Sequence, residues 1–169
     1  MRVIWLVLPI VLCLLPVHGP LAAEPPVVNV TNFGTFTARH ITTEPDPQAP
    51  NLVRVHSEGY TFLETTRDIC ARIGVNFGFE MRRNAAPADA AWALDVTVDH
   101  PPILGMDGRI HITEHERYQL RDGPRVLGWS YAHTNALVAG EWTWTVTCQG
   151  VVVAQQTFHV HTDCSSPMA

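Results

Sequence analysis

Two histidines on one predicted strand, His159 and His161, are the residues of this chain best spaced to bind an ion. Strand residues two apart project from the same face, about 6.5 Å apart at the backbone. Imidazole pairs of this kind bind copper or zinc when a third ligand arrives from a neighbouring strand. The plainer reading makes them the solvent-facing half of a strand, and no methionine cluster, helical His-x-x-x-His or second cysteine ligand accompanies them. His111 and His115 also share a face, but about 13 Å apart, too far to chelate one ion between them. Glu114 and Glu116 lie on one face near Arg117 and Tyr118. Paired carboxylates do acid–base chemistry when one is desolvated, whereas on an exposed strand they form a charged edge that blocks unwanted pairing, which is the expectation here. Trp129 and Tyr131 share a face as well, either as core or as an exposed aromatic patch of the kind that binds carbohydrate or protein. The chain has no Gly-x-Ser-x-Gly elbow and no other nucleophile context. The expectation is a protein that is not an enzyme and carries no cofactor.

The ends and the composition narrow the setting. Met1-Arg2, the apolar run 3–15, the break at Pro16 and Gly19-Pro20, and Leu21-Ala22-Ala23 before Glu24 have the form of a secretory signal peptide cleaved after Ala23. The run is shorter than the roughly 18–20 apolar residues that span a bilayer. Cys13 lacks the small residues expected just before a lipidated cysteine. The expected product is one domain, residues 24–169, periplasmic or secreted, with no membrane span. It would hold all sixteen acidic residues and, with no lysine in the chain, ten arginines. An acidic balance without a basic run argues against nucleic acid and anionic membranes as partners.

The elements that must position these residues read as strands. In 140–148, Trp142, Trp144, Val146 and Cys148 alternate with Thr143, Thr145 and Thr147. Gln149-Gly150 then makes a turn into a second apolar run, 151–161, so the pair reads as a β-hairpin with one buried face. Val75, Phe77, Phe79 and Met81 alternate in the same way, as do Trp92, Leu94, Val96 and Val98. Residues 27–41 form a first strand region with a plausible bulge at Gly34, and 44–50 is a proline-rich loop expected not to pair. Residues 52–56 read as a short edge strand, and 61–72 carries no clear period. Asp107-Gly108 and Asp122-Gly123 signal tight turns around a strand at 109–120, followed by one at 126–132. Seven to eight short strands without a convincing helix indicate an all-β antiparallel sandwich, with a closed barrel as the lesser alternative.

Several segments also resemble an uncharacterised bacterial family known only as a domain of unknown function. They are Cys70-Ala71-Arg72-Ile73-Gly74-Val75-Asn76-Phe77-Gly78-Phe79, the His100-Pro101-Pro102-Ile103 turn, Gly128-Trp129-Ser130-Tyr131, Leu137-Val138-Ala139-Gly140-Glu141-Trp142, and Phe158-His159-Val160. The resemblance spans about residues 28–160 and rests on turn glycines and core aromatics. It implies a single immunoglobulin-like β-sandwich and supplies no activity and no functional residues.

In that setting the expected role is an exported binding module that contacts another protein or an envelope component, with a metal or small-ligand carrier using His159 and His161 as the alternative. The domain holds Cys70, Cys148 and Cys164, so one pair and one spare thiol are expected in an oxidising compartment. A Cys148–Cys164 bond would need the tail to double back along roughly 30 Å of strand. An immunoglobulin-like strand order brings Cys70 and Cys164 to the same edge and leaves Cys148 as a buried free thiol. A reactive or metal-binding Cys148 conflicts with its inward position beside tryptophans.

Overall fold

The computed structural model describes residues 28–84, 92–120 and 123–165. The leader expected at 1–23, residues 85–91 and Asp122 of the expected Asp122-Gly123 turn lie outside the described residues. Alternation decides which residues become strands and which face is buried. Strands are β1 (Val28–Pro45), β2 (Val53–Glu64), β3 (Asp68–Cys70), β4 (Asn76–Arg83), β5 (Trp92–Leu104), β6 (Ile110–Leu120), β7 (Pro124–Ser130), β8 (Gly140–Cys148) and β9 (Val151–His161), with a 3-10 turn at Thr134–Ala136. They form two sheets, ordered β2-β1-β4-β7 and β3-β9-β8-β5-β6. All pairings are antiparallel except β3 with β9, which is parallel. The fold is an immunoglobulin-like all-β sandwich.

Phe77, Phe79 and Met81 from one sheet meet Leu94, Trp142, Val146 and Phe158 from the other, all with no exposed surface. Phe77 is central: its ring lies 5.4–5.7 Å from those of Tyr131, Trp142, Trp144 and Phe158, in offset and edge-on arrangements that aromatic quadrupoles favour. The β8–β9 hairpin turns through Gln149 (φ 51°) and Gly150 (φ 79°), the double left-handed geometry that matches the twist of paired strands.

The first third of the chain departs from the sequence reading. β1 runs past its last pairing with β4, at Phe36–Asn76, and continues with β2 alone as far as Pro45–Val53. The proline-rich stretch therefore pairs at Glu44 and Pro45, and the expected short edge strand at 52–56 begins at Val53 and runs for twelve residues. Pro45 is tolerated because this ribbon has a free edge where its missing N–H is not needed. β3 takes three residues from the stretch without a clear period, which brings the described strands to nine.

The ribbon forms an arm. Its tip is fixed by the Met106 N–H donating to the Pro50 carbonyl (2.7 Å) and by Asn135 Nδ2 donating to Asn51 Oδ1 (3.3 Å) and the Leu104 carbonyl (2.9 Å). Its root rests on a row of glycines, Gly34–Gly78–Gly128, paired across three strands. A Cβ on Gly78 would stand 2.1 Å from the Leu127 carbonyl oxygen, and one on Gly128 2.9 Å from the Phe36 ring. Only bare backbone lets Phe36 settle there, packed against Tyr60 and Phe62 of the arm.

A second irregularity lies in β5–β6. Pairing shifts between Asp99 and Ile103, where His100-Pro101-Pro102 occupy β5. A bulge re-aims side chains, and here His111 and Glu114 both turn inward while Ile110 and Ile112 stay exposed.

Candidate functional site

Edge strands β6 and β7 flank the open side of the sandwich, and the arm lies across it. Between them is a cleft of about 650 Å³, bordered by Glu114, Glu116 and Tyr118 on β6, Arg125 and Trp129 on β7, and Arg54 on the arm. A neighbouring recess of about 470 Å³ shares Arg54, His56, Tyr118 and Arg125 and adds Glu44 and Arg117. Arg54 is held by Asp46 at 2.7 Å and stands 4.0 Å from Glu116. The Arg125 guanidinium lies 4.3 Å from the centre of the Tyr118 ring, a cation–π contact. Its Nε is buried with no hydrogen-bond partner, as is Trp129 Nε1.

Behind the β6 wall runs a buried polar chain. The His100 side chain is wholly enclosed, stacked 4.8 Å from the Trp142 ring and 5.8 Å from Trp129. Its Nδ1 lies 2.8 Å from the Pro101 carbonyl, which can only accept, so Nδ1 carries the proton and Nε2 faces Glu114 Oε1 at 3.5 Å. His111 does the same from the other side: Nε2 donates to Asp107 Oδ1 (3.2 Å), and Nδ1 stands 3.5 Å from Glu114 Oε1. Asp107 is held below the usual carboxylate range, first by the Arg109 backbone N–H and then by His111. His100 Nε2 and Glu114 Oε1 have no hydrogen-bond partner.

Glu114 and Glu116 therefore share a face, as their spacing requires, but that face is the interior. The expected charged outer edge is not formed, because the β5–β6 shift turns the carboxylates in. Burial raises the pKa of Glu116, with Arg54 opposing and Asp46 and Glu114 adding to the rise. The folded state therefore holds the Glu116 proton more tightly than the unfolded chain. Stability from this group is present in acid and is lost as pH rises through the folded pKa. Glu116→Gln should raise the melting temperature at pH 7 relative to wild type, and the gain should disappear at pH 4. Thermal melts at both values check this; a loss at pH 7 would contradict it. Burial likewise raises the Tyr60 phenol, against the opposing charge of Arg125.

The residues singled out from sequence fall in separate places. His159 and His161 project from the outer face of β9, each toward its own carboxylate: His159 Nδ1 to Glu141 Oε1 and His161 Nε2 to Asp68 Oδ1, both 3.5 Å. Among the described residues no three His, Cys, Asp or Glu side chains gather as a metal-ligand group. His111 and His115 sit on opposite faces, His115 outward beside Thr97. Tyr131 is fully buried, its hydroxyl unpartnered and its pKa pushed up by burial, so no exposed patch with Trp129 exists. Trp129 is half-buried and borders the cleft. Cys70 and Cys164 form a disulfide, and Cys148 is a buried free thiol whose pKa is raised by burial and then by Asp95. Sequence reading missed His100, Arg54 and Arg125. His100 continues the inward alternation of Leu94, Val96 and Val98 and could have been found by it.

No helix among the described residues is long and apolar enough to cross a membrane. No curated protein matches the sequence. Among solved structures, an immunoglobulin-like protein from Pseudomonas aeruginosa superposes with a TM-score of 0.58 at 17% identity, covering 79% of this chain and 96% of that one. At that identity the likeness establishes the shared sandwich alone. Residues 24–160 match the family model described as Domain of unknown function (DUF3859), and the chain belongs to that family.

Proposed function

We propose that the protein is an exported, non-catalytic binding module that takes up a component of the cell envelope in the cleft between β6 and β7. The observation that carries this reading is the lining of one cavity, where Arg125 and Trp129 on one wall oppose Glu114 and Glu116 on the other, and where Arg125 Nε and Trp129 Nε1 have no hydrogen-bond partner. Polar groups left unpaired in a fold cost stability, and a cleft that keeps several of them is built for something that satisfies them. The Cys70–Cys164 disulfide is in keeping with an oxidising compartment.

The test is a low-mass envelope fraction added to the isotope-labelled chain. The Trp129 indole N–H and the Tyr118 ring resonances should shift. Shifts confined to the outer face of β9, or none at all, would remove the cleft as the seat of function.

A second reading, a metal carrier using His159 and His161, draws support from the shared outer face alone. Zinc should leave the melting temperature of wild type and of His159→Ala/His161→Ala equal. A stoichiometric rise present only in wild type would restore that reading.

A further inference from the structure

The walls of the cleft differ in what they lack. Among the described residues four fixed charges border it, Arg54, Arg125, Glu114 and Glu116, and of these Arg54 is taken up by Asp46. The β6 wall is short of donors. Glu114 is nine-tenths buried and its Oε1 makes no hydrogen bond: the nearest imidazole nitrogens, His100 Nε2 and His111 Nδ1, stand off at 3.5 Å, their rings hydrogen-bonded elsewhere, to Pro101 and Asp107. Glu116, two residues along the same face, has Arg54 no nearer than 4.0 Å. The β7 wall is short of acceptors, with the Arg125 guanidinium held over a ring and its Nε and the Trp129 N–H unpaired.

We propose that the cleft binds a small zwitterion, with its ammonium at Glu114 and Glu116 and its carboxylate at Arg125 and Trp129, in the manner of a short peptide or an ω-amino acid. This rests on the cleft being the binding site. A ligand of one sign would satisfy one wall and leave the opposite charge desolvated against it, which is the costly case. A zwitterion complements both walls at once, the glutamates of β6 and the Arg125 guanidinium of β7. β6 and β7 belong to the two facing sheets, which stack about 10 Å apart, so acidic and basic groups on opposite walls favour separated charges over the adjacent ones of a single α-amino acid. The volume suits a small molecule. Pro50 and Asn51, pinned to Met106 and Asn135, border the cleft and keep the arm down over it, which disfavours a folded protein partner.

Four probes on the intact domain test this by calorimetry and by the Trp129 indole resonance: 6-aminohexanoate, dialanine, pentylamine and hexanoate. One of the two zwitterions should bind at least tenfold more tightly than either single-charge probe. Arg125→Gln should abolish its advantage over pentylamine, and Glu116→Gln its advantage over hexanoate. Glu114→Gln should act like Glu116→Gln, and the wild-type ranking stands alone if that variant does not fold. If pentylamine or hexanoate binds as tightly as both zwitterions, the zwitterion assignment is wrong while the cleft remains a site. If no probe binds, although the envelope fraction shifts Trp129, the assignment again falls and the cleft reading survives. If neither probes nor fraction shift Trp129, both fall.

Discussion

Phe77→Ala should destabilise the domain by roughly 3–5 kcal/mol, the range for truncating a buried aromatic. Phe77 stands where the two sheets share one aromatic cluster, with four rings within 5.7 Å of its own. Removing it takes away a buried surface and leaves a void walled by Trp142, Trp144, Tyr131 and Phe158, stiff side chains that cannot collapse to fill it. For a domain of this size each kcal/mol moves the melting temperature by about 2–4 °C, so a drop of roughly 6–20 °C is expected. Phe77→Leu keeps most of the volume and should cost less. Calorimetry of both variants decides it; equal, small shifts would mean the cluster is far more adaptable than its packing implies.

Reducing the Cys70–Cys164 bond should be the next largest perturbation, about 2–4 kcal/mol. The two cysteines are 94 residues apart, so the bond removes a large amount of chain entropy from the unfolded state. It also ties down the weakest pairing of the sandwich. β3 has three ladder partners on β9, supported by the Arg72 guanidinium donating to the Cys164 carbonyl (2.9 Å). Melts with and without reductant should separate by several degrees in wild type and in Cys148→Ser. Cys70→Ser/Cys164→Ser should already melt low and ignore reductant. An unchanged wild-type melt with both thiols demonstrably alkylated would show that the ladder alone holds the edge.

Much of the sandwich is legible in the chain because its inner strands obey a strict period of two. β4, β5 and the β8–β9 hairpin show large apolar residues alternating with polar ones, and they lie where that pattern puts them. The arm is not legible for a physical reason. A two-stranded ribbon outside the core needs no apolar face, so Glu44 and Pro45 look like loop while pairing with Arg54 and Val53. β3 is hidden because three residues show no period and its partner is distant in sequence. The cleft is harder still. Spacing places Glu114 and Glu116 on one face but cannot say which face is inside. The nearby isoleucines point to the wrong answer, because the shift opposite His100-Pro101-Pro102 inverts the strand between Ile112 and Glu114. Functional polarity on an inner face is where a hydrophobic pattern is least informative.

The order of the cysteines has a consequence for biogenesis. The bonded pair, Cys70 and Cys164, is separated along the chain by the free thiol Cys148. A polypeptide threaded N-terminus first into an oxidising lumen presents Cys70, then Cys148, and last Cys164. Oxidation in order of emergence would join the first two, and that product cannot fold, since Cys148 belongs inside beside Val146 and Trp144 at the far end of the last hairpin. If the chain is exported as proposed, correct maturation requires either that β8 bury its thiol before the oxidant arrives or that a disulfide isomerase undo the early error. Cys148→Ser would relieve the chain of that dependence, and its yield of native protein should become insensitive to isomerase.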